Sequence, residues 1–275
     1  MGVCHDGHPT LHRTAARPPG ERLTERDRQV LGTLARVRLA TTRQLERLHF
    51  TDAGAAANAR SARRTLAKLE RYGAVSRLAR RVGGVRAGSA GVIWGLGAAG
   101  QRLLASTGPA GGRQPRRPWT PSRAFVGHRL AITALYVVLV TAERDGRTEL
   151  VCFEAEPDCW RPYVGAHGGR VLLKPDAFVV TAQGEWEDRW FVEVDCGTES
   201  PAVITRKARA YRAYWRSGRE QARSGVFPLV LFVVPDEQRR AALDRVLAKL
   251  PEDDRRLFRV VPAADASRVL AGGAP

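Results

Sequence analysis

The chain is 275 residues long and 44% hydrophobic, with 45 Arg or Lys against 28 Asp or Glu and a formal charge of +17. That length holds two modest domains or one large one, and that apolar share excludes a wholly disordered chain. The longest apolar run, Leu135 to Val140, is too short to cross a bilayer, and the first residues lack the basic-then-apolar order of a signal peptide. A cytoplasmic protein with no membrane partner is therefore expected.

Four cysteines, Cys4, Cys152, Cys159 and Cys196, form no C-x-x-C pair, as expected of reduced thiols. Cys4, His5, His8 and His12 would need a packed shell to gather a metal, and residues 1–20 instead read as a polar, Pro- and Gly-bearing disordered tail. The charge is lopsided. Residues 1–122 hold 22 basic and 7 acidic side chains, an excess of 15, whereas residues 123–275 hold 23 and 21. A polyanion-binding module joined to a near-neutral partner has this footprint.

In chain order, a capping box at Thr24 and Asp27 opens a helix with Val30, Leu31, Leu34 and Val37 at helical spacing. A second short helix after Thr41 or Thr42 carries Leu45 and Leu48, and a loop runs through Phe50 to Gly54. A third helix, Ala56 to Tyr72, ends at Gly73; its apolar stripe is Ala59, Ala62, Leu66 and Leu69, and Arg60, Arg63, Arg64, Lys68 and Arg71 lie on its other faces. Two short strands, Val75–Ala79 and Val92–Leu96, flank a basic Gly-rich stretch, and a short helix Ala98–Ala105 follows. Three helices and a basic-tipped hairpin are the order of a winged helix-turn-helix over residues 21–105. Asn58, Arg60, Ser61, Arg63, Arg64 and Lys68 are its candidate DNA contacts, with Arg80, Arg81 and Arg86 on the wing for phosphates or a minor groove.

Residues 106–122, rich in Pro, Gly and Arg, read as a linker. Residues 123–275 then predict a long apolar helix Arg123–Arg144 and strands near Glu149–Glu154, Val171–Thr181 and Arg189–Asp195. A helix Pro201–Arg219, a doubly buried strand Pro228–Val234, a helix Asp236–Leu250, a strand Leu257–Val261 and a last short helix follow. The whole is a two-domain α+β and α/β chain, the second domain built on a mixed sheet.

That second part holds the acidic constellation. Asp176 enters a strand in Lys174-Pro175-Asp176, and alternation places Glu193 and Asp195 on one face of the next. If the strands are neighbours, Asp176, Glu193 and Asp195 can form an oxygen cage for Mg²⁺ or Mn²⁺, with Glu199 assisting and Lys207 stabilising charge on a phosphodiester. The plain alternative is strand-end acids paired with arginines, Arg206 for example. His128, on an apolar helix, reads as structural before catalytic, and Tyr211 and Tyr214 as packing residues. The chain has no P-loop and no His-hydrophobe-His relaxase triad.

A strand-borne Pro-Asp followed by a carboxylate on the next strand resembles the restriction-endonuclease-like PD-(D/E)XK nucleases. That resemblance implies Asp176 and Glu193 as metal ligands; Asp195 stands where its lysine belongs, unless Lys207 or Lys174 substitutes in space. HRLA (His128–Ala131), KPDAF (Lys174–Phe178), EVDCGTES (Glu193–Ser200) and KARAYRAY (Lys207–Tyr214) resemble the replication-relaxation family of plasmids and mobile elements. The resemblance implies a DNA-binding protein of plasmid replication or mobilisation, acting as a Mg²⁺-dependent endonuclease or nickase. The alternative is a non-catalytic origin-binding or regulatory protein with an inactive nuclease-like scaffold. Double-stranded DNA is the expected partner in both, with a homodimer and other replication or mobilisation proteins as further ones.

Overall fold

The structure, a computed structural model, describes residues 23–78, 91–107, 122–166 and 168–272. The expected tail, the hairpin tip with Arg80, Arg81 and Arg86, and most of the expected linker lie outside the described residues. The architecture is mixed α/β.

In the N-terminal part, helix α1 (Glu25–Val37) is fixed at its start by a reciprocal cap: Thr24 Oγ1 accepts from the Asp27 amide at 3.2 Å and Asp27 accepts from the Thr24 amide at 2.7 Å. A three-residue strand β1 (Leu39–Thr41), not anticipated from sequence, leads into α2 (Thr42–His49), where Thr41 and Gln44 repeat the reciprocal cap. Helix α3 (Ala55–Arg71) buries Ala62, Leu66 and Leu69 and stops at Gly73, whose φ of 64° suits a residue without Cβ. Strands β2 (Val75–Arg77) and β3 (Ile93–Leu96) join β1 in an antiparallel sheet of order β1-β3-β2, and α4 (Ala98–Thr107) follows. Gly100 lets α4 lie on the chain after α3, because a Cβ there would come within 2.1 Å of the Ala74 carbonyl oxygen.

Helix α5 (Arg123–Arg144) opens the second part. The central sheet has the order β10-β9-β8-β7-β4. Strands β4 (Glu149–Ala155), β7 (Ala177–Gln183) and β8 (Trp186–Val194) form an antiparallel meander; β9 (Leu229–Val234) and β10 (Phe258–Pro262) add in parallel. Helix α5 and the last helix, α10 (Ala266–Leu270), cover one face, sharing a core of Ile132, Leu135, Leu139, Val179, Val192 and Leu270. Helices α6 (Pro201–Arg216) and α8 (Glu237–Leu247) cover the other, where Phe191, Phe232, Tyr211 and Leu243 pack together. As its unbroken apolar sequence predicts, β9 is buried on both faces.

Two elements differ from the sequence reading. The single strand expected over Val171–Thr181 is two. Pro175, which lacks an amide to donate, interrupts the run. Thus β6 (Arg170–Leu173) turns aside to pair with β5 (Arg161–Val164) as a separate hairpin, and β7 begins at Ala177. The helix expected to reach Arg219 ends at Arg216; Gly218, at φ 67°, reverses the chain into a short α7 (Arg219–Ser224). A one-turn α9 (Glu252–Arg255) precedes β10.

The two parts share a core. Val37 of α1 and Leu48 of α2 belong to the same buried cluster as the inner face of α5. Across the junction Thr133 Oγ1 donates to the Leu39 carbonyl at 2.6 Å and Arg36 donates to the Tyr136 hydroxyl at 2.7 Å. By length and composition alone Ala124–Arg144, of mean hydropathy 1.7, could cross a membrane, although its longest unbroken apolar run is short. Here its surface is divided between the sheet and the N-terminal helices.

Candidate functional site

The acidic residues gather where β7 begins and β8 ends. In the β7–β8 register Ala177 faces Val192, so Asp176, one residue before, meets the end of β8. Its backbone amide donates to the Val192 carbonyl (3.1 Å), and its Oδ2 accepts from the Val194 amide (2.8 Å). The carboxylate is thereby fixed from behind. Its Oδ1 points towards α5, where His128 Nε2 lies at 3.0 Å.

Glu156, just past β4, completes this corner: its amide donates to the Asp176 carbonyl (3.0 Å), and its carboxylate pairs with the fully buried Arg129 guanidinium at 2.7 Å. The donor atoms of His128, Glu156 and Asp176 all lie within 4.8 Å of one another. Sequence reasoning passed over Glu156 and set His128 aside as a packing residue.

A second set surrounds Glu193, which is buried in β8. Tyr211 donates its hydroxyl to Glu193 Oε1 at 2.5 Å, and Lys207 Nζ lies 2.7 Å from Oε2 and 2.6 Å from Glu199 Oε1. Lys207 on α6 thus meets the strand acid in space, as the substitute lysine would. Tyr211 and Tyr214 are both core residues, as expected, and each also spends its hydroxyl on a carboxylate, Tyr214 on Glu220.

Asp195 is drawn elsewhere. Arg239 of α8 holds its Oδ2, and the Gly197 amide donates to its Oδ1 at 2.9 Å. Arg239 also donates to the Glu199 carbonyl, tying the loop after β8 to α8. The arginine alternative therefore describes Asp195, with Arg239 rather than Arg206 as the partner. Lys174 is exposed, its ammonium 5.0 Å from the Trp160 ring.

The electrostatics follow from burial and these pairs. The hydrogen bond to Asp176 raises the pKa of His128 above its ordinary value, against the opposing effect of burial. Burial, then the Asp176 charge, raises that of Glu193, with Lys207 opposing. Burial would lower the pKa of the Lys207 ammonium, but Glu193 and Asp176 together raise it. Burial likewise raises Glu156, with Arg129 opposing. Two cations and one imidazole thus hold three carboxylates in a small volume.

On α3, Arg60, Arg63 and Arg64 are exposed opposite the buried Leu66 and Leu69, with no ion pair to a described residue, and Ser61 is half-buried. Two of the expected DNA contacts are occupied inside the protein. Asn58 clasps the Ala53 backbone at both its amide and its carbonyl, and Lys68 pairs with the buried Asp27 at 2.5 Å.

Among comparisons with known proteins, the family model described as replication-relaxation matches residues 31–230. No curated protein and no solved structure matches the chain. The matched stretch exceeds half of the chain and runs from α1 through His128, Glu156, Asp176, Glu193 and Lys207 into β9. By that extent, this chain belongs to the replication-relaxation family.

Proposed function

We propose that this protein binds double-stranded DNA during replication or mobilisation of a plasmid or mobile element. Residues 23–107 act as a winged helix-turn-helix that presents α3 to the major groove. The observation that carries the reading is the exposed row Arg60, Arg63 and Arg64 on one helix, with no carboxylate among the described residues to neutralise it. The order of three helices and a small antiparallel sheet fits that motif, with β1 as its third strand. The family's description names replication, the process in which such a protein would act. Fluorescence anisotropy on duplex DNA across a salt series tests it: replacing all three arginines with Ala must weaken binding.

A second reading adds strand cleavage. Relaxing supercoiled DNA requires a cut phosphodiester, and the succession α5-β4-β7-β8-α6-β9, three antiparallel strands and a parallel fourth, follows the order of the PD-(D/E)XK nuclease core. The specific observation in its favour is Lys207 beside Glu193. The Mg²⁺ cage of Asp176, Glu193 and Asp195 does not fit the donors as they stand. Both Glu193 oxygens are engaged by Tyr211 and Lys207, and Asp195 is held by Arg239. Supercoiled plasmid incubated with divalent cations, with Asp176→Ala as the control, separates a nickase from a non-catalytic scaffold.

A further inference from the structure

We infer that His128, Glu156 and Asp176 form a binding site for one divalent transition-metal ion of the Mn²⁺ or Zn²⁺ class. The site deepens the second reading above, placing the metal on α5, the end of β4 and the start of β7 rather than on the acids of β8.

Geometry comes first. Donor atoms each about 2.1 Å from one ion at right angles stand about 3 Å apart. His128 Nε2 and Asp176 Oδ1 are 3.0 Å apart, and the Glu156 oxygen completes a set within 4.8 Å. An ion between them requires the carboxylate of Glu156 to swing inward, with little movement of the other two.

Each carboxylate is also gripped from outside the site. The Val194 amide fixes Asp176 Oδ2 and leaves Oδ1 directed at the imidazole, while Arg129 holds Glu156 Oε1. Metal-binding carboxylates are oriented by such outer partners. The side chains of His128, Asp176 and Glu156 remain 26%, 11% and 19% exposed, so the corner is open to solvent for an ion to enter.

Donor chemistry sets the class of metal. A neutral imidazole and two carboxylates supply one nitrogen and charge −2, which a divalent cation balances. Mg²⁺ prefers oxygen donors in a strict octahedron, whereas Zn²⁺ and its neighbours accept imidazole readily. A Mg²⁺ site drawn from the β8 acids would instead have to displace Lys207 and Arg239.

The test uses the full chain stripped with EDTA and titrated with Mn²⁺, following loss of the free-ion EPR signal. One saturable equivalent is expected, displaced by Zn²⁺ and at least tenfold less readily by Mg²⁺. Pulsed EPR of the bound Mn²⁺ should show coupling to an imidazole nitrogen, a readout that needs no variant. His128→Gln and Glu156→Gln, each checked for an unchanged melting curve, should weaken binding tenfold or more. Absence of saturable binding, a spectrum without nitrogen coupling, or affinity lost in Glu193→Gln but kept in His128→Gln would overturn the site. DNA affinity and plasmid nicking, measured on the same samples, report separately on the readings above.

Discussion

The ammonium of Lys207 stands 2.7 Å from Oε2 of Glu193, a carboxylate with almost no solvent exposure. Removing one partner of such a pair strands the other charge in the interior. Lys207→Met should therefore destabilise the fold by about 2–4 kcal/mol, towards the low side for a buried pair because Lys207 keeps some contact with water. Adding Glu193→Gln should restore more than half of the loss. Denaturant unfolding of both variants measures it, and additive losses would show that the pair is not coupled.

On the DNA side, each phosphate contact contributes about 0.9 to the slope of log affinity against log salt. Replacing Arg60, Arg63 and Arg64 together should flatten that slope by about 2–3 and leave the melting temperature within a few degrees, since all three side chains are exposed. An unchanged slope would move the DNA surface off α3.

His49 gives a pH dependence of known sign. It sits under α1, its Nε2 2.9 Å from Thr33 Oγ1; burial, then the charges of Arg144 and Arg26, pull its pKa down to about 4. Between pH 6.5 and 4 the unfolded chain takes up a proton that the native one refuses, so stability is full at neutral pH and falls as pH drops through that window. His49→Gln should flatten the fall in melting temperature between pH 6.5 and 5. A parallel curve for the variant would rule His49 out as its source.

The shared core predicts how the two parts behave when cut. A protease site inserted between residues 108 and 121 should yield two pieces that co-elute in gel filtration, because Val37 and Leu48 remain packed on α5 and Thr133 remains bonded to Leu39. Separate elution would show that the junction is too weak to hold without the covalent link.

What could be read from the sequence divides along physical lines. Local devices were legible: the Thr24–Asp27 cap, the Gly73 stop and the apolar run of β9 each encode their structure within a few residues. Strands β1, β5 and β6 were not, since three or four residues are too few for alternation to declare itself. In the site, the nearness of Asp176 to the end of β8 followed from adjacent strands. Arg239, which takes Asp195, lies on a helix far along the chain, and no spacing announces it. His128 and Arg129 did leave a signal. Two adjacent polar side chains in an otherwise apolar helix need buried partners, and Asp176 and Glu156 are those partners.

Helix α5 carries a practical consequence for anyone cutting this chain into pieces. Its stripe around Thr133 and Tyr136 is roofed by α1, β1 and α2, which also hide part of the surface of a helix apolar enough for a lipid environment. A fragment starting at residue 122 loses that roof and presents a greasy ridge to water, the kind of patch that drives self-association. The N-terminal helices are thus built-in solubilisers of their neighbour, and aggregation of the shorter fragment would report the missing roof rather than a misfolded sheet.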